Sequence, residues 1–176
     1  MSVRPRRNVH GGELAGLARF NAMPLPQARR ALLTCCSATR WAEQVATARP
    51  YASADAALRL SDAAVAALTT EDLQEALSGH PRIGARSGGG ASRREQSGVD
   101  GGDPAVLHAL QASNDAYERR FGHIYLVSAT GKNAAELLGI LRVRLANDPA
   151  AEWRTVRAEL GKINRIRLRQ LIEGVA

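Results

Sequence analysis

Apolar residues recur at three- and four-residue spacing along most of this chain, the period of a helix buried on one side. Residues 13–20 carry Leu14, Leu17 and Phe20 on one face, and Asn21 ends this first predicted helix. Pro26 suits the first turn of a second helix running to about Cys36. Ser37 or Thr39 can cap a third, 40–48, which stops before Pro50 because a residue preceding proline is biased away from helical angles. Ser53 opens an alanine-rich helix to about Leu68. Thr69 and Asp72 have capping-box spacing for the next, which ends at Gly79. Asp103-Pro104 pairs a cap with a first-turn proline. The helix behind it, to about Phe121, carries Leu107, Leu110, Asn114, Tyr117 and Phe121 on one stripe. Further helices are expected at 133–147 and 149–173.

Two stretches break the helical period. Pro81–Gly102 holds Gly84, Gly88, Gly89, Gly90, Gly98, Gly101 and Gly102 and reads as irregular. Residues 123–129, HIYLVSA, are β-rich and apolar and read as a short extended segment. One such segment does not make a sheet. The expected class is therefore all-α, a single-domain compact helical bundle of about eight or nine helices. Residues 1–12, with Pro, Gly and several arginines but no period, read as a flexible N-terminal arm, and 13–176 as the one helical domain. No internal repeat or linker divides it.

Composition adds exclusions. No stretch of the 176 residues approaches the roughly 20 apolar residues of a membrane helix. The basic N-terminus lacks the apolar core of a secretory signal, so a soluble cytoplasmic protein with no membrane partner is expected. The net charge of +7 raises the question of nucleic acid, but the arginines are scattered and aromatics are only 4%. A nucleic-acid binder needs clustered charge and stacking platforms, so no such partner is expected. All basic residues except Lys132 and Lys162 are arginine, a bias that alanine shares and that matches GC-rich coding. Cys35 and Cys36 are adjacent and lie in an apolar run. They read as small buried hydrophobes, and with four scattered histidines they offer no metal-ligand spacing.

Three features could carry chemistry. His80 stands past a helix-ending glycine and before Pro81, which holds it on a rigid turn where an imidazole can serve as acid and base near neutral pH. Alternatively it only closes the helix. Ser92-Arg93-Arg94-Glu95-Gln96 has capping-box spacing, or it opens a short helix that aims a hydroxyl, a carboxylate and an amide at one pocket. Helical arithmetic at 100° per residue puts Arg144 on the apolar side of its helix and Arg142 off it. The same arithmetic puts Arg167 near the middle of the apolar side of the last helix, with Arg165 and Arg169 turned away. An arginine on an apolar face must find an anion, either an internal Glu or Asp or a substrate carboxylate or urea oxygen.

Taken together, FNAMP (20–24), CSATRWA (36–42), ARPY (48–51), GHPRIG (79–84), SRREQSGVD (92–100), NDAYERRFGHIYLV (114–127), RLANDPAAE (144–152) and KINRIRLRQL (162–171) resemble one family. It is the 2-oxo-4-hydroxy-4-carboxy-5-ureidoimidazoline (OHCU) decarboxylases, which release (S)-allantoin in urate breakdown. The resemblance spans about residues 13–173. It implies an all-helical homodimer acting on a small-molecule substrate, with no metal and no organic cofactor. It further implies His80 as catalytic acid/base with Glu95 beside it. Substrate-binding positions would be Pro81, Ser92, Gln96, the main chain from Tyr125 through Leu126 and Val127 to Ala129, and Arg167, with Arg144 second. The sequence departs from the family pattern in a short glycine-rich loop before Ser92 and in His123, where many members carry an aromatic. The reading from another class is a small helical, non-catalytic binding module for an acidic partner or nucleic acid.

Overall fold

The structure is a computed structural model that describes residues 9–84, 90–99 and 101–174. Nine α-helices occur among them: α1 (Val9–Ala22), α2 (Leu25–Cys35), α3 (Thr39–Thr47), α4 (Ala54–Ala66), α5 (Thr70–Ser78), α6 (Gly90–Glu95), α7 (Pro104–Phe121), α8 (Ala134–Arg144) and α9 (Pro149–Glu173). One turn of 3-10 helix, Ser97–Val99, follows α6. No strand forms among the described residues, so the all-α reading is borne out.

Two apolar clusters organise these helices. Residues of α1 to α5 and α9 form the larger, around the fully buried Trp41, Phe20, Leu32, Leu58, Leu73, Leu160 and Leu168. The smaller joins α7 and α8 to Ile83, Val99 and the stretch after α7. That stretch is extended, as expected, and its side chains alternate. Ile124 and Leu126 reach the larger cluster, while Tyr125, Val127 and Ala129 reach the smaller. Helix α9 spans about 38 Å and packs against α1, α2, α4 and α5. The turn from His80 to Gly84 and the short helix α6 lie in sequence between the two clusters.

Polar anchors fix the larger cluster. Trp41 Nε1 donates to Ser61 Oγ at 3.0 Å, so the buried indole is not left unpaired. Asn21 pairs with both main-chain groups of Tyr51, at 2.9 Å each. Arg49 Nη1 donates to the carbonyls of Phe20 and Met23 at 2.7 Å. Two of the quoted motifs, FNAMP and ARPY, are thus halves of one structural clasp at the end of α1.

Several boundaries differ from the sequence reading. Helix α1 begins at Val9, so residues 9–12 are helical and do not belong to the arm; residues 1–8 lie outside the described part. The glycines at 11 and 12 weaken a helix without forbidding it, and Leu17 and Phe20 anchor it downstream; Leu14 is exposed. Helix α3 is capped by neither Ser37 nor Thr39: its N-cap is Ala38. The Thr39 amide and hydroxyl donate instead to the Glu75 carboxylate of α5, a cap from another helix that local sequence cannot show. Helix α8 stops at Arg144, short of 147, because Arg144 and Asn147 both turn to Glu152 in α9.

Gly16 marks the tightest helix crossing. A Cβ there would stand 1.9 Å from the Ile172 carbonyl oxygen of α9, whereas a Cβ at Gly139, exposed in α8, would meet nothing within 4 Å. Gly16→Ala must push α1 off α9 and should cost about 1–3 kcal/mol. Gly139→Ala should add about 0.5–1 kcal/mol of helix propensity. Thermal melting of the two variants measures both, and equal shifts would contradict the crossing.

Candidate active site

The constellation is built on Arg167, whose side chain is only 7% exposed. Its Nε and Nη2 donate to the two Glu95 oxygens at 2.7 Å each, a fork-on-fork ion pair. Nη1 donates to the Cys35 carbonyl at 2.9 Å and lies 3.4 Å from His80 Nε2. Nη2 also reaches Ser92 Oγ at 3.3 Å. One guanidinium thereby gathers the ends of α2 and α5, helix α6, and the C-terminal third of α9.

Each partner is delivered for a local reason. Helix α5 starts from the capping box of Thr69 and Asp72 and closes at Gly79 with φ −90°, a right-handed conformation. Gly79 is therefore needed for space and not for a left-handed turn. A Cβ on it would stand 1.8 Å from Ser37 Oγ, so the α2–α3 loop presses directly on the turn that carries His80. Helix α6 begins at Gly90, which places Ser92 inside it and not at its cap. The capping-box reading of Ser92 and Glu95 is accordingly set aside, and both side chains face Arg167. Gln96 follows, and its Oε1 accepts from the Gly84 amide at 3.0 Å, tying α6 to the turn after Pro81. The same turn is held by Asn114 Nδ2 on the Ile83 carbonyl, and by Arg82, which pairs with Asp115 and Glu118 of α7.

The imidazole has a defined state. Nδ1 lies 2.8 Å from the Ala76 carbonyl, an acceptor only, so Nδ1 carries the hydrogen and Nε2 the lone pair facing Arg167. Burial pushes the His80 pKa below the ordinary histidine value, and the Arg167 charge pushes it further the same way. A neutral imidazole with an unprotonated Nε2 is a proton acceptor, here one that faces the Arg167 guanidinium. The cysteines beside it are inert: burial raises Cys35 to about 11 and raises Cys36 as well.

The two arginines of the helical arithmetic part company. Arg144 is buried, but its anion is internal: Nε donates to Glu152 Oε1 at 2.8 Å. Arg165 and Arg169 are 46% and 43% exposed and pair with Asp62 and Asp55 at the surface. Arg167 too has an internal partner, yet that partner, Glu95, belongs to the constellation. Glu95 makes no hydrogen bond to His80; Arg167 stands between them. Among the described residues, no hydrogen bond joins the 125–129 segment to His80 or Arg167. His123 takes the place of an aromatic, its ring 4.3 Å from that of Trp153 and edge-on to Tyr117. The short loop before Ser92 lies largely at 85–89, outside the described residues.

Sequence reasoning missed the Cys35 carbonyl, the Ser37–Gly79 contact and Asn114. Only Asn114 left a signal, as the polar member of an otherwise apolar stripe. Arg167 also lines a cavity of about 250 Å³ with Thr34, Cys35, Arg94 and Gln170. A second, about 400 Å³, is bounded by Arg82, Gly84, His108 and Gln111. No group of three or more potential metal ligands occurs among the described residues. No described helix is long and apolar enough to cross a membrane.

With this geometry in hand, the comparisons with known proteins become specific. The family model described as OHCU decarboxylase matches residues 21–169, which include every residue of the constellation. The chain belongs to the OHCU decarboxylase family. Among its relatives is the uric acid degradation bifunctional protein TTL of Arabidopsis thaliana, 31% identical over 81% of this chain and 46% of that protein. Another is the 2-oxo-4-hydroxy-4-carboxy-5-ureidoimidazoline decarboxylase of Amia calva, 36% identical over 43% of this chain and 41% of that protein. The chain thus spans less than half of either. A solved OHCU decarboxylase, crystallised in the presence of (S)-allantoin, superposes with a TM-score of 0.70 at 26% identity, over 80% of this chain and 95% of that one. An (S)-allantoin synthase shares the fold, with a TM-score of 0.68 at 16% identity over 88% of this chain and 53% of that one.

Because the folded His80 pKa is depressed, the unfolded chain binds more protons between the folded and unfolded values. Stability should therefore fall as pH drops below about 6.5, where an exposed histidine protonates. Arg167→Met removes the nearby positive charge and should move the His80 titration upward. Proton NMR of the imidazole checks this; an unmoved or lowered titration would show that Arg167 does not govern it.

Proposed function

We propose that this chain decarboxylates OHCU to (S)-allantoin without metal or organic cofactor, in the cytoplasm and as a homodimer. The observation that carries the reading is the contact of half-buried His80 and Glu95 with buried Ser92 and Arg167 in one cluster within a member of this family.

The chemistry suits such a site. OHCU carries a hydroxyl and a carboxylate on one ring carbon, beside a C=N bond. When the bond to the carboxylate breaks, CO₂ leaves and its electron pair moves into the adjacent C=N. The ring nitrogen takes a proton from solvent. The substrate is its own electron sink, so the protein has only to orient the carboxylate, move the hydroxyl proton and protonate one face of the neighbouring carbon. His80, neutral with Nε2 unprotonated, exchanges its contact with Arg167 for the substrate, takes the hydroxyl proton and returns it to that carbon. Glu95 acts through Arg167, whose position it fixes, and not by direct relay to the imidazole. Ser92, Gln96, Pro81 and the main chain from Tyr125 through Leu126 and Val127 to Ala129 hold the ureido and ring amide groups. Arg167 stabilises oxygen that gains charge.

Freshly generated OHCU should yield (S)-allantoin rapidly, followed by circular dichroism of the product. His80→Gln should lower kcat by about 10²–10⁴-fold with the fold intact. Racemic product at the uncatalysed rate, or a His80→Gln variant with more than half the wild-type kcat, overturns the reading.

Arg167→Lys should lower kcat/KM by about 10- to 150-fold, the worth of a charge-assisted hydrogen bond. Lysine lacks the planar fork and cannot engage Glu95, Cys35 and Ser92 together. Arg165→Lys and Arg169→Lys keep the same charge at the surface and should change kcat/KM by less than about twofold. Equal behaviour of the three variants would take Arg167 out of the site.

A further inference from the structure

The extended segment after α7 has no sheet to fix its peptide groups. Buried or half-buried charged side chains bind them instead. Arg144 Nη1 donates to the Leu126 carbonyl. Glu159 Oε2 accepts from the Ser128 amide at 2.8 Å, and Lys132 Nζ donates to the Ser128 carbonyl at 2.6 Å. Arg144 is itself held. Its Nε and Nη2 donate to Glu152, which is fully buried and also accepts from Tyr117 Oη and from Asn147 Nδ2 at 2.7 Å. The guanidinium stands 4.9 Å from the centre of the Tyr125 ring. Burial pushes the Glu152 carboxyl up, but the bonds from Arg144, Tyr117 and Asn147 outweigh it and hold the pKa below the usual value, so the pair stays charged.

A buried ion pair is a poor way to gain stability, because desolvation offsets its attraction. It is a good way to fix an orientation. In a trans peptide the C=O of one residue and the N–H of the next point opposite ways. With the Leu126 carbonyl on Arg144, the Val127 N–H must point away from Arg144. With the Ser128 N–H on Glu159, the Val127 carbonyl must point away from Glu159. The two clamps therefore set both main-chain groups of one residue, Val127.

We infer that Arg144, carried by Glu152, is a positioning residue that fixes the Val127 peptide groups for hydrogen bonding to the substrate. This rests on the proposed reading, in which the 125–129 main chain meets the substrate, and it gives Arg144 a role distinct from substrate contact.

The test uses Arg144→Met/Glu152→Gln. It removes both buried charges together, keeps an acceptor for Tyr117, and takes the donor from the Leu126 carbonyl. Arg144→Lys is the second variant, retaining the charge without the second edge of the fork. Arg142→Met, exposed on the same helix, is the control. Thermal melting, steady-state kinetics with freshly generated OHCU, and hydrogen exchange of the Val127 amide are measured on all three. The double variant should melt cooperatively, lose at least tenfold in kcat/KM, and exchange the Val127 amide at least tenfold faster, with α9 amides unchanged. Arg144→Lys should follow it and Arg142→Met should match wild type. A folded double variant with wild-type kcat/KM, or with unchanged Val127 exchange, overturns the inference. If wild type does not turn over OHCU, the functional reading fails; faster Val127 exchange in the double variant then still supports the clamp, and unchanged exchange rejects it.

Discussion

A guanidinium buried on the apolar face of α9 is the constraint around which this site is arranged. Left alone, Arg167 would cost several kcal/mol. Its compensation comes from the Cys35 carbonyl at the end of α2, the Glu95 carboxylate and Ser92 hydroxyl of α6, and the lone pair of His80 beyond α5. These segments are up to 132 positions apart in the chain. A short helix such as α6, six residues long, has little stability of its own. Its ion pair with Arg167 and the bond from the Gly84 amide to Gln96 are what fasten it.

The same packing sets the chemistry of the histidine. Burial, and after it the positive charge against Nε2, keeps the ring neutral, while the Ala76 carbonyl selects the tautomer. The unprotonated ring nitrogen is thereby set by packing. Glu95 is the counterweight, making the buried charge tolerable without touching the imidazole. Arg144 and Glu152 repeat the device in the smaller cluster, where a paired guanidinium grips main chain instead of a ring.

The motifs that carry the family resemblance divide by task. FNAMP and ARPY meet in the Asn21–Tyr51 and Arg49 clasp, a purely structural junction. The Thr39 of CSATRWA donates to Glu75 of α5, which caps α3 from outside, and the nearby Ser37 fits against Gly79. The runs at 79–84 and 92–100 and Arg167 of the last motif supply the side chains of the constellation. NDAYERRFGHIYLV and RLANDPAAE supply supports: Asn114 and Asp115 hold the Ile83 turn, and Arg144, paired with Glu152 and Tyr117, holds the Leu126 carbonyl.

Local patterning alone determined the helical class, most helix positions, the extended 123–129 segment and the burial of Arg144 and Arg167, because helical period and cap chemistry act within a few residues. It also singled out His80, Ser92 and Glu95 as polar residues in an irregular stretch. The partners of those residues were decided only by the tertiary structure. Arithmetic on one helix says that an arginine faces inward, but not whether it will meet Glu152, eight positions on, or Glu95, seventy-two positions back. The Cys35 carbonyl and the Glu75 cap on α3 left no trace in the sequence. A main-chain carbonyl is present at every position, and a carboxylate that caps another helix looks, in its own, like any solvated glutamate. Which of these groups becomes functional depends on which helices cross, and that is set by the summed packing of the whole core.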